Sequence, residues 1–354
     1  MKKLLSLICV LALSVGLFAG CGNQAAAPSS SAAEPSVKSE APAANPVDVN
    51  VSAMKGPTAM GMVQFMSESD AGNITDNNYH FSISAMPDEV SASLSQGKTD
   101  IAAVPANLAS VLYNNTQGGV EVLAINTLGV LYIVESGDSV NSVEDLRGKT
   151  IYASGKGSTP EYALNYILSQ NGIDPAADVT IEWKSEHAEC LTALTSQPNA
   201  IALLPQPFVT TAQSKADNIR VALDLTEEWD KIQKNADTPS SLITGVVVAR
   251  TDFIKEHPEA VEAFLEHYKA SVDYVNGNVD EAAKLVGSYD IVPEAMAQKA
   301  LPTCNIVYID GDEMKQKLSG YLAVLLEQNP KAVGGALPGD DFYYSRLRYG
   351  KAVS

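Results

Sequence analysis

The residues best suited to meet a ligand are Gly155-Lys156-Gly157-Ser158-Thr159-Pro160. Two glycines let a backbone approach a ligand closely, and Ser158 and Thr159 supply hydroxyls. The proline suits the first turn of a helix, whose free N–H groups and dipole attract negative charge. This is the chemistry of a seat for an anion or polar head group, although an ordinary capped turn has the same composition. It differs from a Walker A loop, which needs a four-residue spacer before Gly-Lys. Signals for catalysis or metal binding are poor. His80, His187, His257 and His267 are scattered without metal-ligand spacing, and there is no Gly-x-Ser-x-Gly elbow or sequential Cys/His pair. Asp310-Gly311-Asp312-Glu313 lacks the later ligands of a calcium loop and reads as a turn with an acidic helix start. The expectation is therefore binding, with no cofactor and no enzyme activity.

Turns of this kind recur in a rhythm. Val47–Ala53 alternates as a half-buried strand and leads into Lys55-Gly56-Pro57-Thr58 and a helix carrying Met60, Met62, Val63 and Met66. Phe81–Ala85 leads into Met86-Pro87-Asp88-Glu89 and a helix ending near Gly97. Asp100–Val104 leads into Pro105-Ala106-Asn107 and a helix to about Tyr113. Val122–Ile125 and Val130–Glu135 then read as successive strands, with a short helix at Ser142–Leu146. A second series follows. Thr150–Ser154 precedes the Gly155–Pro160 turn, Val179–Trp183 precedes Lys184-Ser185-Glu186-His187, and Ala200–Leu204 precedes Pro205-Gln206-Pro207. Three βα units, a crossing and three more describe two α/β lobes.

Leu242–Ala249 reads as the strand that returns the chain to the first lobe, before helices at Pro258–Val275, Val279–Val286, Pro293–Lys299 and Asp312–Glu327. The hinge is expected in Leu123–Glu135 and Leu242–Arg250. The first lobe then comprises residues 47–128 and 245–354, and the second 129–244. Ligands of open α/β sheets bind beyond the carboxyl ends of the strands, so all six turns should face one cleft. Candidate contacts are Lys55, Gly56, Pro57, Thr58, Met86, Pro105, Ala106, Asn107, Gly157, Ser158, Thr159, Glu186, His187, Gln206 and Thr244. Several have a plainer reading. Met60 and Met62 suit a core, Asn107 and Glu186 suit helix starts, and Tyr162, Tyr166 and Trp183 suit packing.

The ends of the chain bear on location. Lys2-Lys3, an aliphatic run from Leu4 to Phe18 and small residues have the layout of a secretory signal, residues 1–20, too short to span the roughly 30 Å of a bilayer core. Residues 21–46 collapse to Ala, Ser, Pro, Glu, Gln, Asn and Lys, a composition that suits a flexible tether. The remaining body, within 354 residues, is long enough for two lobes. A net charge of −18 with 45% hydrophobic residues describes an acidic globule and argues against nucleic acid or an anionic lipid surface as partner. Cys190 and Cys304, each in an apolar setting, read as separate buried thiols.

Two resemblances follow. Phe18-Ala19-Gly20-Cys21 resembles the lipobox of bacterial lipoproteins, which implies lipidation of Cys21 and a body held at the outer face of the cell membrane; that body is expected to be monomeric. The body resembles the solute-binding proteins of ABC importers, type II fold, and more narrowly the nitrate/sulfonate/taurine and thiamine-pyrimidine-precursor group. The stretches that carry this are Lys55–Thr58 with Met60-Gly61-Met62, Asp100–Pro105, Val246–Asp252 with His257-Pro258-Glu259, and Leu337–Tyr344. Where many relatives have Glu-Pro, this chain has Gln206-Pro207. The resemblance implies capture of a small solute by hinge closure and delivery to a permease with its ATPase. Lys55, Lys156 and Lys184 favour an anionic or sulfonate-like solute. A thiamine-type heteroaromatic, a cofactor-biosynthesis enzyme on the same fold and a lipoprotein serving a sensor are the alternatives.

Overall fold

A computed structural model describes residues 46–350, apart from 235, 237 and 238; the signal, Cys21 and nearly all of the tether lie outside the described residues. The chain runs β1 (Asp48–Met54), α1 (Pro57–Met60), α2 (Val63–Asp70), β2 (Asn78–Ser84), α3 (Pro87–Ser95), β3 (Ile101–Pro105), α4 (Ala106–Thr116) and β4 (Val120–Leu128). It then crosses to β5 (Leu131–Glu135), β6 (Thr150–Ser154), α5 (Thr159–Gln170), β7 (Thr180–Lys184), α6 (His187–Ser196), β8 (Ile201–Pro205), α7 (Phe208–Lys215), β9 (Arg220–Asp224) and α8 (Leu225–Gln233). It returns through β10 (Ile243–Arg250) to α9 (Thr251–Glu256), α10 (Pro258–Gly277), α11 (Val279–Ser288), α12 (Glu294–Ala300), β11 (Ile306–Ile309) and α13 (Gly311–Gln328).

Among the described residues the strands form two sheets, ordered β11-β4-β10-β3-β1-β2 and β7-β6-β8-β5-β9. The arrangement repeats: β1 runs parallel to β2 and β3, as β6 does to β7 and β8. In each sheet the third parallel strand is flanked by an antiparallel strand made as the chain crosses, β10 beside β3 and β5 beside β8. The fold is thus mixed α/β with two sheets, as the strand–turn–helix rhythm requires.

Both faces of the central strands are buried, which is why they read as unbroken apolar runs. Ala102 and Val104 of β3 face a cluster that also takes Ile133, Leu203 and α13, while Ile101 and Ala103 face a second cluster under α10. Tyr132, Val134, Ala202 and Leu204 face a third. The period of two within each strand sorts its side chains between layers. Helix α13 spans both sheets' surroundings. Its Tyr321 and the nearby Trp229 are fully buried, and Trp229 Nε1 donates to Ser240 Oγ at 3.0 Å.

The structure departs from the sequence expectations in several places. β2 starts at Asn78 rather than near Phe81. β9, α8 and β11 are elements that the pattern did not announce. β9 is held by Arg220, whose guanidinium pairs with the fully buried Glu135 and donates to Gly137 O at 3.1 Å and Val140 O at 2.6 Å. A further departure concerns the helix expected after Gly56, which is broken into α1 and α2. Phe65 N would donate to Gly61 O in a continuous helix. Instead Phe65 N donates to Ser271 Oγ at 3.1 Å, and Ser271 Oγ donates to Gly61 O at 2.7 Å. A side chain from α10 is inserted into the backbone ladder, a recognised cause of a break.

Ser271 is therefore a splice between helices far apart in sequence. Ser271→Ala orphans a buried N–H and a buried C=O, each of which costs about 1–3 kcal/mol unsatisfied. Chemical denaturation should show a loss of at least that size with the m-value unchanged; a loss of a few tenths would contradict this role.

Candidate functional site

Register shows where the strand ends lie. Pro105, the last residue of β3, is opposite Gly245 of β10, and Gly245 is opposite Thr127 of β4. Four residues on, Leu131 of β5 is opposite Pro205, the last residue of β8. The carboxyl ends of β3 and β8, and so the starts of α4 and α7, therefore flank the same pair of crossings. β1 and β2 end beside β3, and β6 and β7 beside β8, so the other turns stand on the same two rims.

On the rim of the first sheet, Gly56 has φ 120° and ψ −157°, a conformation open essentially to glycine alone. Lys55 N donates to Ser84 O at 2.8 Å, joining the first and second turns. Pro57 starts α1, and the Thr58 hydroxyl turns back to donate to Met54 O at 2.7 Å. Asn126 Nδ2 donates to Thr58 O at 3.2 Å, which brings β4 to the same point. Thr244 is half-buried next to Gly245 at the start of β10. Met86 is 55% exposed on the second turn. Lys55 Nζ lies 3.4 Å from Asp290. Asn107 does not cap α4, which has no side-chain cap; its amide donates to Ala332 O at 3.4 Å.

On the facing rim, Gly155 and Gly157 have φ of 83° and 80°. A β-carbon at Gly155 would stand 2.9 Å from both Pro160 Cγ and Ser158 Oγ. The loop is internally committed: Ser158 Oγ donates to Gly155 O at 2.6 Å, Gly157 N donates to Glu161 at 2.6 Å, and Tyr162 OH donates to Gly157 O at 3.0 Å. Thr159 differs. Its Oγ1 accepts from Tyr321 OH at 3.2 Å, so its own proton is available to an incoming acceptor. Lys156 is exposed without an ion pair among the described residues, whereas Lys184 pairs with Glu182 at 3.0 Å. Glu186 is exposed and makes no side-chain cap of α6. Gln206 is 5% exposed and both tips of its amide are engaged, Nε2 donating to Thr303 Oγ1 at 2.7 Å and Oε1 accepting from Thr210 Oγ1 at 2.9 Å.

His187 starts α6 with Nδ1 2.6 Å from Ser154 Oγ and its ring centroid 5.2 Å from that of Phe208. Burial holds its pKa below the usual imidazole value, so it is neutral at pH 7. Cys190 is a free buried thiol whose pKa burial raises, and burial pushes Cys304 up to about 12; neither is poised as a nucleophile. Met60 and Met62 are fully buried core. Asn126, Thr127 and Ser154 are buried polar residues at the rims that the sequence reading did not single out. A polar Asn-Thr pair inside the apolar run Val120–Leu128 was the available signal for the first two.

What the arrangement can do follows from the helix starts. The first-turn amides of α4, α5, α6 and α7 have no acceptor within their own helices and carry partial positive charge. Two sets of such ends around one pair of crossings, with Thr159 and neutral His187, suit an oxyanion. Among the described residues no group of three or more His, Cys, Asp or Glu side chains could hold a metal ion, and no helix is long and apolar enough to cross a membrane.

Residues 75–292, more than half of the chain, match the family described as ABC transporter, phosphonate, periplasmic substrate-binding protein. Among solved structures, the chain is similar to an ABC transporter protein from Parabacteroides distasonis, with 23% identity over 84% of this chain and 99% of that one and a TM-score of 0.70. It is also similar to the periplasmic aliphatic sulphonate binding protein SsuA of Escherichia coli, with 15% identity, 82% and 96% coverage and a TM-score of 0.62. For the alkanesulfonate-binding protein SsuA of Xanthomonas axonopodis pv. citri, bound to MOPS, the values are 13%, 84%, 96% and 0.57. At these identities the likeness establishes the shared fold. Comparison with curated protein sequences gives no significant match.

The half-buried histidine makes a pH signature. The unfolded chain takes up a proton at His187 near the usual pH of about 6.5, the folded protein only at lower pH. Between the two the unfolded state holds more protons, so stability rises with pH. The stability linked to neutral His187 is complete above about pH 6.5 and is lost as pH falls through the folded value. An NMR titration should place its midpoint below that of an unfolded peptide. Denaturation at roughly pH 5 and pH 7.5 should show a pH-dependent loss that His187→Gln reduces. A midpoint at or above the peptide value would refute the assignment.

Proposed function

Since this chain belongs to the family of periplasmic substrate-binding proteins of phosphonate ABC transporters, we propose that its solute is a small oxyanion of the phosphonate or sulfonate class, captured between two lobes. The protein is the extracytoplasmic solute-binding component of an ABC importer, and it works with a permease and an ATPase. The observation that carries the ligand class is the convergence of helix starts from both sheets on the crossings at Leu128–Leu131 and Leu242–Gly245. Several of the fold neighbours are sulfonate-binding proteins by name, which supports the same class.

The lobes in this reading are residues 47–128 with 245–354, and 129–244; the membership of the two sheets supports that division. Opening and closing about the crossings lets the ligand favour the closed form through contacts it makes only there. Binding, without covalent chemistry, is the whole of the task. The nitrate/sulfonate/taurine branch is a finer reading of the same chemistry. Lipidation of Cys21 would hold a monomeric receptor at the membrane. The measurement is fractionation of cells expressing the full chain: Cys21→Ala should move the protein from the membrane to the soluble fraction, and an unchanged membrane fraction would remove the anchor.

The ligand is tested by thermal shift with alkylphosphonates and alkylsulfonates of increasing chain length. A ligand at 100 times its dissociation constant adds about 2.7 kcal/mol. Thr159 can donate to an anion while Ser158 Oγ is turned to Gly155 O, so the two should separate. Thr159→Val should weaken binding at least tenfold, in line with roughly 1.5–3 kcal/mol for a hydrogen bond to a charged group, and Ser158→Ala should weaken it less. No stabilisation by either series, or equal effects of the two substitutions, would count against this site.

A further inference from the structure

We propose that Gln206 is a hinge brace: its side-chain amide ties the second lobe to the segment Ala300–Asn305 and sets the angle at which the lobes rest. Gln206 directly follows β8 of one sheet, and Thr303 lies between α12 and β11, the edge strand of the other. The amide spans them. Gln206 Nε2 donates to Thr303 Oγ1 at 2.7 Å, and its Oε1 accepts from Thr210 N at 3.3 Å and Thr210 Oγ1 at 2.9 Å.

The segment that Gln206 holds is itself fastened to the first crossing. Leu128 N donates to Asn305 O at 3.0 Å, and Asn305 Nδ2 donates to Gly129 O at 2.5 Å. Tyr132, just past the crossing on β5, donates its hydroxyl proton to Thr303 O at 3.0 Å. Thr211 Oγ1 of α7 reaches Met296 Sδ of α12 at 3.5 Å. Residues 303–305 thus grip the crossing and the second lobe together. They form a non-covalent connection beside the two covalent ones, on a different element from the α13 bonds of Tyr321 and Gln328 to Thr159 and Tyr162.

The chemistry of the brace calls for an amide. The single hydroxyl proton of Thr303 goes to Ala300 O at 3.0 Å, so its Oγ1 can only accept from Gln206. At the other end the backbone N–H of Thr210 can only donate, which settles which tip of the amide is oxygen. The position therefore needs a donor at one tip and an acceptor at the other, at glutamine's length. A carboxylate would present two acceptors and set one against the Thr303 lone pairs in a site 5% exposed. Gln206 is thus a positioning residue, acting on the solute through the lobe angle. This rests on the reading of the protein as a receptor that closes about a hinge.

The test needs no ligand, so a failed ligand screen leaves it decidable. Spin labels on unnatural amino acids at Ser95 of α3 and Thr192 of α6, both exposed, report the distance between lobes in the full chain by electron–electron resonance. Gln206→Glu and Thr303→Val should each shift the distribution to longer and broader distances. Thr303→Ser, which keeps the hydroxyl, should keep the wild-type distribution, and the double variant Gln206→Glu/Thr303→Val should add little to either change. Should Gln206→Glu fail to fold, Thr303→Val carries the comparison. Variants that lose thermal stability with an unchanged distribution would reduce the contact to packing and overturn the proposal. So would loss of methylphosphonate or methanesulfonate binding by Gln206→Glu at unchanged distances, which would make Gln206 a ligand contact.

Discussion

The close approach of the two chain crossings is the constraint on which the rest of the molecule depends. A β-carbon at Gly129 would stand 2.2 Å from Thr226 Oγ1 and 2.8 Å from Leu242 Cδ2. One at Gly245 would stand 2.4 Å from Thr58 Cγ2 and 2.5 Å from Asn126 Oδ1. Real β-carbons do not sit so near other atoms, so both positions need glycine for space. That space lets β10 lie between β3 and β4 while β5 lies between β8 and β9. With the crossings spread apart, the strands β3 and β8 would end away from each other, and the starts of α4 and α7 would no longer flank the same pair of crossings.

Electrostatics adds a puzzle that distance resolves. The chain carries a net charge of −18, yet the proposed solute is an anion. At physiological ionic strength charges are screened over about 8 Å, so most surface carboxylates act on the solute weakly once it is seated. The amides at the helix starts act at hydrogen-bond range, where screening is small. Lysines contribute less than their number suggests, because Lys55 faces Asp290 and Lys184 faces Glu182. On the proposed reading the attraction is local and largely made of backbone.

How far the chain could be read from its sequence follows from the same physics. Units such as β1–Pro57, β2–Pro87 and β6–Pro160 were legible because proline at a helix start and alternation within a strand are local signals. β9 was not, because five residues bounded by Arg220 and Asp224 carry little pattern, and what holds them is a buried Glu135 distant in sequence. The break between α1 and α2 was invisible for a related reason: Ser271, which causes it, belongs to another helix. At the site, residue types on the turns were readable, but their commitments were not. Asn107, Ser158 and Gln206 have the right chemistry for a ligand, yet Asn107 and Gln206 are bonded to distant segments and Ser158 to its own turn.

Those commitments bear on how so many sequences can share one architecture. If the polar side chains of the turns mainly build the turns, recognition rests on N–H groups that any residue supplies, plus a few side chains such as Thr159 and His187. The fold then demands little of sequence beyond glycine where a β-carbon would collide, proline where a helix starts, and apolar residues of period two in the central strands. Solved structures at 13 to 23% identity with TM-scores of 0.57 to 0.70 are what that low demand allows. On the proposed reading, ligand choice falls to the few uncommitted groups on the rims, with exposed Met86 and Lys156 the side chains freest to change without cost to the scaffold.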